Sequence, residues 1–156
     1  MRHTKKLLSL TAVVLLAACT DNSLTNPFGD VVGTYQLTIY ANATLPIHFT
    51  VQPGQDSDLP NGGTWDITGG SLDLRRDGSF TETNLITKTP SGGSAFAADF
   101  VSNGTYSVSG ANIQFAAPPQ NNINGRSFTG QISQDRINYT EFDPPTGLTF
   151  AYEYRR

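Results

Sequence analysis

Cys19, His48 and the carboxylates of Asp56, Asp58, Asp73 and Glu82 are the side chains whose types and spacing could do chemistry in this chain. His48 is the only histidine beyond the first few residues, and it alternates with Ile47 and Phe49 in "IHFTV". A serine hydrolase would need it as base, but no Gly-x-Ser-x-Gly elbow presents a nucleophile. A zinc site draws on nitrogen and sulfur ligands, and one histidine with one cysteine supplies too few. Asp56, Asp58 and Asn61 in "GQDSDLPNGG" could offer oxygens to calcium. The EF-hand order breaks at Pro60, however, and the closing glutamate is missing, so a solvated loop is expected. Asp73 and Glu82 flank the Asp77-Gly78 turn, yet Asp73 alternates with Leu72 and Leu74 and faces outward. Nothing in the sequence sets Glu82 beside it as a glycosidase pair requires. The reading is of a protein that is not an enzyme, with no catalytic residue, no metal site and no cofactor.

Cys19 is a different matter. Arg2, His3, Lys5 and Lys6 precede an apolar stretch from Leu7 to Leu16, followed by the small residues Ala17 and Ala18. This order of charge, apolar run and small residues is that of a secretory signal. The run is shorter than the roughly 20 apolar residues needed to cross a bilayer. Leu16-Ala17-Ala18-Cys19 resembles the bacterial lipobox. That resemblance implies cleavage before Cys19, lipid on its sulfur and an envelope protein held to a membrane by acyl chains. One acyl chain binds only marginally and several bind stably. Thr20 is not an acidic retention signal of the enterobacterial kind, which points to the outer membrane.

The expected organisation is a lipoprotein signal peptide over 1–18, a lipidated cysteine and tether over 19–27, and one domain over 28–156. Cleavage would remove Arg2, Lys5 and Lys6 from the 10 basic residues, leaving seven against 13 acidic ones, a formal net charge of −6. With no Lys/Arg cluster larger than a pair, nucleic acid is not an expected partner. A single cysteine excludes an intramolecular disulfide, so packing must hold the domain together.

The elements that position the remaining residues follow a period of two. Tyr35, Leu37 and Ile39 alternate with polar neighbours, as do Ile47, Phe49 and Val51. Leu72/Leu74, Tyr106/Val108, Ile113/Phe115, Phe128/Ile132, Ile137/Tyr139 and Leu148/Phe150/Tyr152/Tyr154 repeat the pattern. Such alternation predicts half-buried strands. Asp77-Gly78, Ser109-Gly110 and Gln134-Asp135 predict tight hairpins between consecutive strands. The longer loops are expected over 52–63, 88–94, 117–126 and 143–147, where proline and glycine collect. The fold class is all-β, an antiparallel up-and-down barrel of about 8 to 9 strands. Closure removes the exposed edges of an open sheet.

Gly33-Thr34-Tyr35, Gly63-Thr64-Trp65 and Gly104-Thr105-Tyr106 repeat a Gly-Thr-aromatic motif, and the chain's last strand carries Arg155 and Arg156. This resembles the lipocalin (calycin) arrangement, in which a Gly-x-Trp on the first strand packs under an arginine from the end of the barrel. Tyr35 stands here in the tryptophan's place. The order "GTYQL", "GGSLDLRRDGSF", "GTYSVSGANIQF", "FTGQIS" and "YEYRR" is similar to that of an uncharacterised group of bacterial lipocalin-like lipoproteins. The resemblance implies a barrel and carries over no catalytic residue. Barrels of about eight strands are either filled by side chains or hold one small ligand. If open, Tyr35, Tyr106, Phe115, Tyr139, Phe150 and Tyr152 are the candidates to line a site for a small lipophilic ligand. If filled, the domain is a structural or interaction lipoprotein that meets an envelope partner through its outer face.

Overall fold

The structure is a computed structural model, and it describes residues 31–119, 125–143 and 147–156. Cys19 and its surroundings lie outside these residues. Eleven strands run in chain order: β1 (Gly33–Tyr40), β2 (Ala43–Thr44), β3 (Ile47–Val51), β4 (Gly63–Leu74), β5 (Ser79–Pro90), β6 (Phe96–Ala97), β7 (Phe100–Ser109), β8 (Asn112–Ala117), β9 (Arg126–Ser133), β10 (Arg136–Asp143) and β11 (Leu148–Arg155). All the pairings are antiparallel, and β1 pairs with both β11 and β4. That double pairing closes β1, β4, β5, β7, β8, β9, β10 and β11 into an eight-stranded barrel.

The short strands β2, β3 and β6 are additions to this cylinder. β4 is long enough to serve two partners. Its second half, Ser71 to Leu74, pairs with β1, while its first half, Gly63 to Ile67, pairs with β3. The β3/β4 unit therefore forms a flap that rises past the end of β1. β5 follows β4 along this flap, pairing Thr89 and Pro90 with Thr64 and Gly63. Residues 88–90, expected in a loop, are thus strand. Pro90 is accommodated because it occupies the last position, where the missing N–H leaves no gap in the ladder.

The hairpins at Arg76-Asp77, Gly110-Ala111 and Gln134-Asp135 all lie at one end of the barrel, with the start of β1 and the finish of β11. The opposite end receives the flap and the longer connections. The first may be called the closed end and the second the open end. Asp77 caps its turn by accepting hydrogen bonds from the Ser79 N–H (2.9 Å) and hydroxyl (2.6 Å). The β1–β2 turn, Ala41-Asn42, has φ of 49° and 72°, the paired positive values that match a tight hairpin to the twist of its strands. It anchors the last barrel strand too: the Asn42 Oδ1 accepts from the Ala151 N–H at 2.8 Å.

Tyr35, Leu37, Leu72, Leu74, Phe80, Ile113, Phe115, Phe128, Ile132, Ile137, Tyr139 and Tyr154 are buried and form one core. Phe115 sits at its centre, edge-on to Phe80 (5.1 Å between centroids) and stacked on Phe128 (4.8 Å). Offset and edge-on contacts of this kind add to what burial alone contributes. Gly104 makes room for the cluster. A Cβ there would lie 2.7 Å from the Phe80 Cε1 and 2.2 Å from the Ala116 carbonyl oxygen. From the closed end to the level of Tyr139 the barrel interior is packed with these buried side chains.

Two bulges change which residues face inward. Between β1 and β11 the register slips at Thr38, so that Leu37 opposes Tyr154 and Ile39 opposes Glu153. One extra residue reverses the alternation beyond it. Ile39, expected on the core face with Tyr35 and Leu37, instead lines an outer groove, and Tyr40 turns inward against the core. The Thr38 hydroxyl holds the bulge, bonding to the Glu153 carbonyl (3.1 Å) and carboxylate (3.0 Å). A second bulge at Thr68 keeps Ile67 in phase with Leu72 and Leu74, and all three are buried.

Candidate functional site

β5 carries Phe80, Glu82, Asn84 and Ile86 on its inward face, with Thr81, Thr83 and Leu85 between them. Period two therefore drives a carboxylate and an amide into the barrel. Glu82 is 1% exposed and Asn84 4%. An ionised carboxylate so placed must be paired and hydrogen-bonded. The Glu82 Oε1 accepts from the Tyr139 and Tyr154 hydroxyls, the latter at 2.7 Å, and Oε2 accepts from Arg126 Nη1 at 2.9 Å. Arg126, the first residue of β9, also donates from Nε to Glu141 Oε1 on β10 at 2.7 Å. Its guanidinium lies over the Phe128 ring (4.9 Å) and the Phe100 ring (5.4 Å).

The electrostatics follow from this packing. Burial would lower the Arg126 pKa, but the Glu82 and Glu141 carboxylates outweigh it and hold it above its ordinary value. Burial first, and then the Glu82 charge, push the Tyr139 and Tyr154 hydroxyls well above the usual phenol range. The cluster is the polar floor at which the apolar core stops.

Above this floor is a mouth of about 230 Å³, walled by Tyr40, Asn84, Phe100, Arg126, Glu141 and Tyr152. It meets a second, more apolar cleft of about 370 Å³ between the flap and the barrel rim. Phe49, Val51 and Trp65 come from the flap side, and Tyr40, Phe150 and Tyr152 from the barrel. Tyr40 and Tyr152 belong to both spaces and meet edge-on at 5.2 Å. Burial pushes both hydroxyls up from the ordinary phenol value.

The flap is braced by a second ion cluster. Lys88 Nζ bonds Asp56 Oδ2 at 2.8 Å and Asp58 Oδ2 at 2.7 Å, and lies 5.0 Å from the centre of the Trp65 ring. The Trp65 indole N–H donates to the same Asp56 oxygen at 2.8 Å. Burial acts to raise the Asp56 carboxyl, but hydrogen bonds from Lys88, the Asp58 N–H and Trp65 prevail and hold it below its ordinary value.

The six aromatic candidates separate by depth. Phe150 and Tyr152 line the cleft, and Tyr139 lies beneath the mouth with its hydroxyl on Glu82. Phe115 is sealed in the core. Tyr35 is buried at the closed end, its hydroxyl donating to the Val31 carbonyl at 3.0 Å, and the Tyr106 hydroxyl donates to the Arg75 carbonyl at 2.7 Å. His48 is exposed on the flap and pairs with Asp66 at 2.7 Å. Asp73 faces outward, accepting from the Thr34 hydroxyl at 3.1 Å and pairing with Arg75. Arg126, Glu82, Glu141, Tyr40 and Trp65 were not anticipated in the site. An acid at a core-phase position of "SFTETNLIT" was the available signal for Glu82. Tyr40 was hidden by the bulge at Thr38.

At the closed end the Arg156 guanidinium lies 4.8 Å from the centre of the Tyr35 ring, and reaches the Val32 and Gln134 carbonyls at 3.4 Å. An arginine from the end of the barrel over an aromatic of the first strand is the arrangement the sequence suggested. The closed eight-stranded antiparallel barrel is compatible with a lipocalin-like fold. No protein-family model, curated protein or solved structure matches the chain.

Proposed function

We propose that this chain is a lipid-anchored protein of the bacterial envelope that binds a small lipophilic or amphipathic molecule at the open end of a lipocalin-like barrel. The observation that carries the reading is the aromatic cleft of about 370 Å³ beside the polar mouth. Its size is within the range of about 300 to 1,000 Å³ typical of ligand sites, and an apolar lining with a few convergent polar groups is their usual composition. The anchor rests on the sequence from Arg2 to Cys19, and the outer membrane on Thr20. The role proposed is binding, without catalysis.

The packed core of the lower barrel supports a competing reading, a structural or interaction lipoprotein that contacts an envelope partner. It also restricts any ligand to the rim. Solvent extraction and mass spectrometry of the protein purified from its own membranes separates the two. A stoichiometric lipophilic species supports the binding reading. No bound species, together with no uptake of the neutral probe N-phenyl-1-naphthylamine, would leave the interaction role.

A further inference from the structure

Resting on the ligand-binding reading of the same cleft, we propose that the occupant is an amphipathic cation. It combines an apolar chain or ring with an ammonium group, beside which lies a hydroxyl or carbonyl oxygen. One ion cluster walls the mouth and the other meets the cleft through Asp56, and each holds one cation against two carboxylates. Arg126 faces Glu82 and Glu141, and Lys88 faces Asp56 and Asp58. Among the described residues Arg126 is the cation lining the mouth and none lines the cleft, and each cluster sets one cation against two carboxylates, leaving one negative charge in surplus.

Between the clusters the walls are aromatic. Tyr40 and Tyr152 meet at an interplanar angle of 83°, giving two sides of a box, and Trp65, Phe49 and Phe150 continue it. Aromatic faces attract cations, most strongly where water is excluded. Glu141 uses Oε1 for Arg126, and Oε2 has no protein donor among the described residues. Burial first, and then the Glu82 and Glu141 charges against that of Arg126, raise the Tyr40 hydroxyl. Asn84 favours an oxygen beside the charge. Its Oδ1 accepts from the Tyr154 hydroxyl at 3.4 Å, and its Nδ2 has no acceptor among the described residues. Asn84 lines the mouth, so this N–H can donate to an oxygen of whatever enters.

Trp65 is the sole tryptophan and forms part of the cleft wall, so its emission reports occupancy directly. Three probes of one chain length, all below their micelle concentrations, isolate the charge: N-(2-hydroxyethyl)dodecylammonium, dodecanol and dodecanoate. The cation should bind about tenfold more tightly than dodecanol, with a preference that shrinks as salt rises. Dodecanoate should bind more weakly than dodecanol. Glu141→Gln should reduce the preference for the cation over dodecanol several-fold, and an unchanged preference would overturn the charge assignment. If dodecanoate or dodecanol matched the cation, the charge assignment would be wrong while the cleft remained a binding site. If no probe changed the Trp65 emission, the binding reading itself would fall.

Discussion

Replacing Arg126 with methionine keeps an unbranched apolar stem but removes the guanidinium that answers Glu82. Glu82 is 1% exposed, and without Arg126 it retains only the Tyr139 and Tyr154 hydroxyls. Glu141, at 24% side-chain exposure, can rehydrate at little cost. The loss is therefore set by one buried carboxylate, and breaking such a pair costs about 3 to 5 kcal/mol. For a domain of this size that is a fall in Tm of roughly 10 to 20 °C. The companion variant Glu82→Gln keeps an oxygen for both tyrosines and removes the charge. Arg126→Met combined with Glu82→Gln should therefore recover most of the deficit, losing about 1 to 2 kcal/mol relative to the wild type. Urea unfolding followed by far-UV circular dichroism measures all four members of the cycle. A cost below about 1 kcal/mol for Arg126→Met, or a double variant no more stable than that single one, would refute the account of the cluster as an obligate buried pair.

The four tyrosines of the cluster and mouth, Tyr40, Tyr139, Tyr152 and Tyr154, have hydroxyls raised above their ordinary value by burial and neighbouring carboxylates. A raised folded-state pKa contributes stability that is complete below about pH 10 and is lost as pH climbs beyond it. Phenolate absorbance of these tyrosines should appear together with loss of the β spectrum; a gradual titration in an intact barrel would contradict their burial. Asp56 is shifted the other way, so its contribution is present above the ordinary carboxylate range and fades as pH falls through it. Trp65 emission should shift at acid pH before the barrel unfolds, and the shift should be absent in Asp56→Asn, which has no carboxyl to protonate. Tyr152→Ala should abolish uptake of N-phenyl-1-naphthylamine with Tm lowered by only a few degrees, and unchanged uptake would move the site elsewhere. Cys19→Ser should release the protein from membranes, and continued partitioning with attached lipid would exclude the anchor.

Alternation in the sequence was sufficient to read the barrel strands, because each has one face on the core, and the Asp77-Gly78 and Gln134-Asp135 turns fixed the order of neighbours. The flap was harder. Phe49 and Val51 have the spacing of a core strand, but β3 covers a cleft, and Phe49 is 36% exposed. Periodicity registers an apolar face without saying what lies against it. The site was less legible still, for two physical reasons. A bulge is a one-residue event with no compositional mark, so the inward turn of Tyr40 could not be read from "LTIY". The ion cluster joins Glu82, Arg126 and Glu141, whose sequence separations of 44 and 15 residues reflect pairing around a closed barrel. Only the phase of Glu82, in step with Phe80 and Ile86, betrayed that an acid had been placed indoors.

The chain enters the barrel at its closed end, where Val31 and Val32 lie beside Tyr35 and Arg156, and the cleft is at the opposite rim. Eleven residues lie between Cys19 and Val31, a span of at most about 40 Å. On the proposed anchorage the barrel would stand on the bilayer like a cup on its base, its opening turned outward. Cargo would then be received from the space beyond the membrane, and surrendered there, without passing through the leaflet that holds the protein. A protein so oriented is placed to exchange with whatever faces it across that space, and its traffic would depend on how far the stem can reach.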